Sequence, residues 1–440
     1  MKIVRPNIFL VFSFLTSICT PLQAYVSLSG STFERDRVDV MLQYVAVPNA
    51  IKESLYALAV DQDVRVELEN NTYDRPLFAH YPQLAQEVFC LELGDLPTPV
   101  TPLENLSDYC DNRVQLFQKN DGLTGRMEHG QRFFGGNKVR KLEFLLADAL
   151  MHNAQSVMTY GAIGSNHVVA TGACCKQLGL RCSALLTPQP VGEIVRRNLL
   201  LMRAYDIDIM LSPNRAIRNL QTVCSFVQSK YHHGQMPYLI PTGGSCPIGA
   251  LGFVNAAFEL KEQIVQGLLP EPDYIYVPVG SCGTIAGLML GVRAANLKSR
   301  VVGVGVFPDN GTDPYFVSQI VAFLNQTNIF IAEKDPSFPL FSWDANDVEM
   351  RLDFGGAAYG IPSSEAEDAK ALFQRMEGVL LDTTYSAKAA AGMLHDIAAG
   401  TLDGSVVLFW NTFCADAPVD DATITQLPKL FQSLLFPMEK

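Results

Sequence analysis

The most constraining feature of this chain is a repeated pattern in which a short apolar run ends in a glycine-containing turn and a helical pattern follows. The run at 156–160 precedes a helical pattern over 166–178, and the run at 274–279 precedes a glycine turn and a helix from about Thr284. Strands that alternate with helices form βαβ units with parallel strands. Continuous apolar strands indicate sheets covered by helices on both faces. The pattern predicts an α/β fold with parallel sheets flanked by helices.

Length and charge narrow the class further. The further strand candidates are 182–187, 208–212, 300–307 and 405–410. A chain of 440 residues exceeds one compact core, so two domains are expected. The net charge of −12, without a block of like charges, argues against nucleic-acid binding, which needs a basic stripe.

The N-terminus is typical of a secretory signal peptide. Lys2 and Arg5 precede an apolar run over 8–18, and a small residue, Ala24, stands at the expected cleavage point. The run is shorter than the ~20 apolar residues that span a bilayer. We predict a signal peptide at 1–24, hence a periplasmic or secreted protein without stable membrane association if it is cleaved, and a cytoplasmic protein otherwise. A buried N-terminal helix or an uncleaved anchor are the alternatives. Residues 25–80 lack the strand–helix pattern and are interpreted as an N-terminal extension.

Cysteine usage conflicts with export. The chain has ten cysteines, and no pair has Cys-x-x-Cys spacing. Nine would remain after loss of Cys19 with the leader, and several of these stand in apolar runs, where cysteine acts as a small hydrophobe. Such usage is typical of an intracellular enzyme. The conflict stays open at this point.

The first segment with chemical potential is Gly135-Gly136-Asn137-Lys138. Two glycines allow a tight backbone path before a lysine that opens a helical pattern. A helix N-terminus disfavours the charged amine and lowers its pKa, as a Schiff-base lysine requires. The alternative is that Lys138, Arg140 and Lys141 form a solvated helix face.

Two further segments each lie between a strand and a helix. Residues 164–167, Gly-Ser-Asn-His, can hold a carboxylate through backbone N–H groups and the Ser165 hydroxyl. The alternative is an ordinary helix cap with His167 on the helix surface. Residues 280–284, Gly-Ser-Cys-Gly-Thr, can bind a phosphate through backbone N–H groups and hydroxyls. They lack the glycine pattern of dinucleotide sites, so a phosphate monoester is favoured over a dinucleotide. Here a plain strand–helix turn is the alternative.

An amine, a carboxylate site and a phosphate site are together what pyridoxal 5′-phosphate (PLP) and an amino acid require. From about Tyr81 to Pro418 the chain resembles the D-cysteine desulfhydrase and 1-aminocyclopropane-1-carboxylate (ACC) deaminase family, within the tryptophan synthase β-like, fold type II PLP enzymes. The segments that carry the resemblance are Leu93–Leu103, Asn120–Gly125, Gly135–Glu143, Gly164–His167, Pro241–Ser245, Gly280–Thr284, Ala358–Ser363 and Leu381–Lys388.

The resemblance implies a catalytic core over 81–430, with a small open α/β domain at about 142–255 inserted in a larger domain, and a homodimer. It implies a Schiff base between PLP and Lys138, and Tyr359 and Tyr385 beside cofactor and substrate. The implied cofactor-binding residues are Lys138, Asn166, Gly280, Ser281, Cys282, Gly283, Thr284 and Ser386. The implied substrate-binding residues are Ser165, Asn166, His167 and Thr412. No metal site is implied.

Two positions favour one reaction. ACC deaminases resemble this chain but have glutamate at position 386, where the neutral Ser386 would leave the pyridine nitrogen largely unprotonated. The electron sink is then weaker and a good leaving group on Cβ is favoured. Thr412 also resembles the desulfhydrase branch, since the deaminase has leucine. The expected reaction is carbon–sulfur cleavage of D-cysteine to pyruvate, H₂S and ammonia, with Lys138 as base and Tyr359 or Tyr385 as acid or base partner.

Three departures from the family keep alternatives open. Cys282 replaces a usual glycine, and Phe413 and Cys414 replace a usual glycine pair. The substrate could instead be ACC, D-serine or a β-substituted alanine, and a non-catalytic PLP-binding or sulfur-sensing protein is the alternative of another class. A metallohydrolase and a serine hydrolase are disfavoured, because the chain has neither a His-Glu-x-x-His motif nor a Gly-x-Ser-x-Gly motif.

Overall fold

The computed structural model describes residues 75–128, 131–308, 315–415 and 427–435. The predicted signal peptide and most of the predicted extension, 25–74, lie outside these residues. No helix of the described ranges is both long and apolar enough to cross a membrane. None of the cysteines in these ranges forms a disulfide bond.

Helices and strands alternate along most of the described chain. The strands are β1 Val100–Pro102, β2 Gln115–Asn120, β3 Met127–Glu128, β4 Gln131–Arg132, β5 Ser156–Ala162, β6 Arg181–Thr187, β7 Asp208–Leu211, β8 Tyr238–Ile240, β9 Tyr274–Val279, β10 Arg300–Gly305, β11 Glu349–Arg351 and β12 Val406–Asn411. The helices are α1 Pro76–His80, α2 Leu84–Glu87, α3 Glu104–Tyr109, α4 Lys138–Met151, α5 Asn166–Gln177, α6 Glu193–Ala204, α7 Arg215–His233, α8 Pro247–Val265, α9 Gly283–Ala294, α10 Tyr315–Lys334, α11 Ser364–Glu377, α12 Ser386–Ala398 and α13 Lys429–Leu435.

Two sheets organise these elements. The larger sheet has the order β1-β2-β12-β9-β10-β11, and only the β1–β2 pair in it is antiparallel. The smaller sheet has the order β7-β6-β5-β8 and is fully parallel. The predicted α/β class is confirmed, and each predicted strand is present to within about two residues. The smaller sheet lies within 156–240, while the predicted domain boundaries at about 142 and 255 stay a prediction.

The strands are buried on both faces, as their continuous apolar sequences predict. In β9, Ile275 and Val277 pack in the apolar cluster that includes Leu288 of α9. The intervening Tyr276 packs in the cluster on the opposite face, which includes Met393 of α12. This alternation follows from the two-residue period of a strand, and it shows why β9 is apolar at every position.

A buried network of charged side chains joins α4, α8, β2 and β12. Arg140 is 2.9 Å from Asp121 and 2.8 Å from Glu259, and Lys119 is 2.6 Å from Glu259. The Trp410 indole N–H donates to Asp121 at 2.8 Å. Two cations and two carboxylates are thus matched in the interior, and they hold the start of α4 against the larger sheet.

The segments after the carboxyl ends of several strands lie close together. The backbone N–H of Gly136 donates to the Asp121 carbonyl, just after β2, and that of Asn137 donates to the Thr412 carbonyl, just after β12. In parallel α/β sheets this edge is where ligands bind. The fold therefore places the beginning of α4 at the edge that can form a site.

Candidate active site

Lys138 is the first residue of α4, and its amine lies against the side-chain amide of Asn137. The Lys138 Nζ donates to Asn137 Oδ1 at 3.0 Å. Burial lowers the pKa of Lys138 to about 8, although Asp382 and Asp121 act in the opposite direction. The pKa is lowered as predicted, but its main cause is desolvation rather than the helix N-terminus. A large share of the amine is therefore neutral and nucleophilic at mildly alkaline pH.

Asn137 links the lysine to the glycine-rich turn after β9. Its side-chain N–H donates to Thr284 Oγ1 at 3.2 Å, while its carbonyl oxygen accepts from Lys138. Asn137 is buried and was not predicted as a site residue, although it stands next to Lys138 in the sequence. One amide thus fixes the distance between the amine and the predicted phosphate site.

The turn at 280–284 is held by a hydroxyl from another loop. Ser245, which follows β8, donates from its hydroxyl to Ser281 Oγ at 2.8 Å and accepts from the Gly283 backbone N–H at 3.3 Å. A Cβ on Gly283 would lie 2.6 Å from Ser245 Oγ, so a larger residue there would displace the Ser245 side chain. Cys282, at the N-terminus of α9, has a φ of +64°, a left-handed conformation that favours glycine.

Lys141 adds a second amine to this turn. Its Nζ donates to the Gly243 carbonyl at 3.2 Å and to Ser245 Oγ at 3.4 Å. A Cβ on Gly283 would lie 2.9 Å from the same Nζ. Among the described residues no carboxylate lies within 4.0 Å of it, and burial, then Lys138, lowers its pKa well below the usual value. An ammonium in this position is best stabilised by an added anion.

The Gly-Ser-Asn-His segment caps α5, as the alternative interpretation holds. Ser165 Oγ accepts from the Val168 backbone N–H at 3.3 Å, so its own hydrogen can still be donated. Asn166 is partly buried, and its Oδ1 accepts from the side chain of Asn198 at 2.7 Å. Capping and ligand binding are therefore compatible at Ser165.

His167 is buried rather than on the helix surface, with 4% of its area exposed. The Thr159 hydroxyl donates to the Ile240 carbonyl at 3.0 Å, so His167 Nε2, 2.9 Å from Thr159 Oγ1, must be the donor in that contact. Burial, then Lys138 and Lys141, lowers the pKa of His167 well below its usual value. A neutral ring with its single N–H used on Thr159 has none left for an anionic oxygen. The role of His167 in substrate binding stays a prediction.

The two predicted tyrosines meet. The hydroxyl oxygens of Tyr359 and Tyr385 are 2.6 Å apart, and the Tyr359 ring stacks on Phe307 at 5.1 Å. Burial raises the pKa of Tyr359 to about 12, and it raises the pKa of Tyr385 well above the usual value. Gly280 lies beside this pair, since a Cβ there would be 3.1 Å from the Tyr385 ring. Both hydroxyls are therefore protonated at neutral pH.

Ser386 begins α12 and is fully buried. Its hydroxyl donates to Asp382 Oδ1 at 2.7 Å and accepts from the Asp382 backbone N–H at 2.8 Å. Asp382 also accepts from the backbone N–H groups of Thr384, Tyr385 and Ser386. Asp382 was not predicted, and it is the carboxylate that acts on the pKa values of Lys138 and both tyrosines.

Thr412 is partly buried at the end of β12, where its carbonyl accepts from Asn137. Phe413 and Cys414 follow it and are buried. Arg197 lies 5.5 Å from the Phe413 ring centroid and donates to the Cys414 carbonyl at 2.9 Å. The two departures from the family pattern therefore form a packed wall beside the lysine segment.

The comparisons with known proteins agree with this geometry. The model of the family described as "Pyridoxal-phosphate dependent enzyme" matches residues 91–412, more than half of the chain. The chain belongs to this family. Its fold is that of the fold type II PLP enzymes, as predicted, and its cofactor is PLP.

The chain is also similar to solved structures. A structure described as an ACC deaminase homologue is 29% identical, with a TM-score of 0.64, over 82% of this chain and 100% of that chain. A fungal L-serine ammonia-lyase from Rhizomucor miehei is 17% identical, with a TM-score of 0.48, over 77% of this chain and 98% of that chain. An O-ureido-L-serine synthase is 15% identical, with a TM-score of 0.49, over 73% and 90%. The first of these agrees with the predicted ACC deaminase and D-cysteine desulfhydrase family.

The residues present fit the cofactor of this PLP enzyme. Lys138 offers an amine that is partly neutral near pH 8, and Lys141 offers a buried amine next to the turn, whose charged form a phosphate dianion would favour. Ser281 and Thr284 supply hydroxyls at the N-terminus of α9, which favours an anion. We infer that the turn at 280–284 holds the phosphate.

Four residues of the candidate site were not predicted from the sequence: Asn137, Lys141, Asn198 and Asp382. Lys141 is three residues after Lys138, so it lies on the same face of α4, and this spacing could have indicated it. Arg140 and Lys141 are each only 1% exposed, which contradicts the alternative of a solvated helix face. Asp382 and Asn198 become recognisable only through their contacts.

Proposed function

We propose that this PLP-dependent lyase eliminates sulfide from D-cysteine to give pyruvate, H₂S and ammonia. The observation that carries the proposal is the hydroxyl of Ser386 at the position predicted to face the pyridine nitrogen. The nearby Asp382 carboxylate is occupied by donors of its own segment, including the Ser386 hydroxyl at 2.7 Å. A neutral group at this position supports a substrate whose Cβ carries a good leaving group.

Lys138 is the proposed base. When bound, PLP supplies an electron sink for the pair of electrons left on Cα. The Lys138 amine, with a pKa of about 8, accepts the Cα proton because its neutral form is accessible near neutral pH. Asn137 keeps the amine in place through the 3.0 Å hydrogen bond. Lys138 therefore both anchors the cofactor and moves the proton.

The tyrosine pair is the proposed acid. Because the pKa of Tyr359 is about 12 and that of Tyr385 is raised as well, neither hydroxyl is a base at neutral pH. A protonated hydroxyl can donate to the sulfur that leaves Cβ, and the 2.6 Å contact stabilises the tyrosinate that results. Sulfide loss followed by addition of one water gives pyruvate, H₂S and ammonia.

A second candidate is deamination of ACC, which the 29% identity to an ACC deaminase homologue supports. D-Serine is a further candidate in the same class. ACC needs ring opening without a leaving group, so this reaction would require a stronger electron sink than Ser386 offers.

The test compares turnover of D-cysteine, L-cysteine, D-serine and ACC by the purified protein. Sulfide and pyruvate from D-cysteine in excess over the other substrates support the proposal, while release of 2-oxobutanoate from ACC favours the deaminase. Lys138→Ala should lose activity and covalent cofactor attachment, whereas Lys298→Ala, an exposed lysine, should retain both. Cofactor absorption without any product would indicate a non-catalytic PLP-binding protein.

We propose export on the basis of Lys2, Arg5 and the apolar run over 8–18. N-terminal sequencing of the mature protein from its own cell tests this: a start near residue 25 supports export, and a start at Met1 contradicts it. We also propose a homodimer, to be tested by light scattering.

A further inference from the structure

Asn198 in α6 connects the two sides of the Gly-Ser-Asn-His segment. Its side chain is fully buried, and its Nδ2 donates to the Gly164 carbonyl at 2.8 Å and to Asn166 Oδ1 at 2.7 Å. The two acceptors lie immediately on either side of Ser165. One buried amide group therefore holds both ends of the turn that precedes α5.

These contacts determine which way both amides point. A backbone carbonyl can only accept, so the group of Asn198 that faces Gly164 must be the NH₂. The second hydrogen of the same NH₂ faces Asn166, so the atom of Asn166 on that side must be its oxygen. The NH₂ of Asn166 then points away from Asn198. The orientation of the Asn166 side-chain amide thus follows from the position of the Gly164 carbonyl.

We propose that Asn198 is a positioning residue that presents the NH₂ of Asn166 as a donor to an anionic oxygen of the bound cofactor–substrate pair. Asn166 is partly buried, so part of its surface is accessible to a ligand. Asn198 is fully buried and has no accessible surface. The anionic oxygen is either the phenolic oxygen of PLP or the substrate carboxylate. This role belongs to the same site as the proposed function. It rests on the proposed function if the partner is the substrate carboxylate, and not if the partner is the phenolic oxygen of PLP.

Two variants of Asn198 separate the effect of its hydrogen-bond donors from the effect of its side-chain shape. Asn198→Leu keeps the size and removes both hydrogen bonds, so Asn166 is free to turn. Asn198→Asp keeps the shape but only accepts, so the NH₂ of Asn166 turns towards it and the carbonyl oxygen faces the ligand. An anionic oxygen is then opposed by a lone pair instead of stabilised by a donor.

The first measurement is a pH titration of the visible absorption of the holoenzyme without substrate. A donor to the phenolic oxygen favours its negative charge, so its loss should raise the titration midpoint by about one pH unit in Asn198→Leu, and further in Asn198→Asp. The second measurement is the Kd of D- and L-alanine, which have no leaving group, from the spectral change on binding. If the substrate carboxylate is the partner, this Kd rises about tenfold while the midpoint stays unchanged.

Two controls separate positioning from general destabilisation. Asn328 is a buried asparagine of α10 that donates to the Pro339 carbonyl at 2.8 Å, so Asn328→Leu should lower the Tm without moving the midpoint or the Kd. In an Asn166→Ala background, Asn198→Leu should add nothing further, because the donor is already absent.

The outcomes are distinct. A wild-type protein without cofactor absorption would overturn the proposed function. A coloured wild type whose Asn198 variants change neither the midpoint nor the Kd would overturn only the positioning role. The positioning role would also be overturned if Asn198→Leu changed the midpoint or the Kd in the Asn166→Ala background as much as it does in the wild type.

Discussion

At the scale of single residues, the site is made by burial of groups that are ordinarily charged. Lys138, Lys141 and His167 all have lowered pKa values, and burial is the main cause in each case. The tyrosines shift in the opposite direction for the same reason, because burial disfavours their anionic form. The interior therefore prepares neutral amines and protonated phenols side by side.

The pKa of Lys138 predicts how fast the apoprotein captures PLP at each pH. Only the neutral amine attacks the aldehyde, so the rate should rise with pH and level off above about 8, rather than near the usual lysine value of 10.5. Stopped-flow absorbance would measure it. Because Asp382 acts to raise this pKa, Asp382→Asn should move the plateau to lower pH. A rate that still climbs at pH 10 would contradict the pKa.

The backbone at Cys282 predicts a stabilising substitution. Its φ of +64° costs an ordinary residue about 1 kcal/mol or more, whereas glycine adopts it freely. Cys282→Gly should raise the unfolding free energy by up to about 1 kcal/mol and should not weaken PLP binding. Thermal unfolding and cofactor titration would measure both effects. Cys282→Ala is the control, since alanine keeps the backbone cost and should bring no gain.

At the scale of secondary-structure elements, helix α4 carries two sets of residues with different roles. Lys138 and Lys141 face the site, while Arg140 enters the network with Asp121 and Glu259. The network fixes the rotation of α4 about its axis, because Arg140 is bound to partners from β2 and α8 together. The direction of the Lys138 side chain follows from that rotation.

Glu259 is therefore predicted to be essential for stability. Glu259→Gln leaves Lys119 and Arg140 buried with one carboxylate between them, which should cost about 3–5 kcal/mol in chemical unfolding experiments. A loss below about 1 kcal/mol would show that the network contributes little.

The same network predicts a pH dependence. Burial alone would raise the pKa of Glu259, but Arg140 and Lys119 outweigh it and lower the pKa to about 2. Its contribution is then complete above the unfolded value of 4.5 and is lost as the pH falls towards 2. The stability difference between wild type and Glu259→Gln should shrink over this interval, as urea unfolding at several pH values would show.

At the scale of the whole molecule, the site lies where the two sheets meet. Asn166 and Ser245 follow strands of the smaller sheet, while Ser281 and Thr412 follow strands of the larger one. The 2.8 Å hydrogen bond between Ser245 and Ser281 connects the two groups directly. Ligands bound here contact both sheets, so binding should stabilise the molecule as a unit.

Removal of the cofactor should therefore lower the Tm, and inorganic phosphate should restore part of it through Lys141. A ligand at one hundred times its Kd stabilises by about 2.7 kcal/mol. Lys141→Met should abolish the gain from phosphate without lowering the Tm of the apoprotein, because it replaces a buried amine, whose charged form burial and Lys138 disfavour, with an apolar side chain of similar length. Lys298→Met should retain the full gain; a gain that persists in Lys141→Met would place the phosphate elsewhere.

Much of this arrangement could be predicted. The strands, the parallel order and the two glycine-rich turns follow from local patterns, since each is encoded in a few neighbouring residues. Lys138, Tyr359 and Tyr385 were predicted through their surrounding motifs. Asn198 and Asp382 were not, because an isolated asparagine or aspartate has no local pattern, and their meaning depends on partners in other segments.

The sequence by itself determined the α/β class and the family with its cofactor, and it predicted the lysine that binds the cofactor, because these rest on short contiguous motifs and on the period of apolar residues. Only the tertiary structure decided which charged groups are buried and in which direction each hydrogen bond runs. Burial depends on packing between distant segments, and it is burial that lowers the pKa values of Lys138 and Lys141.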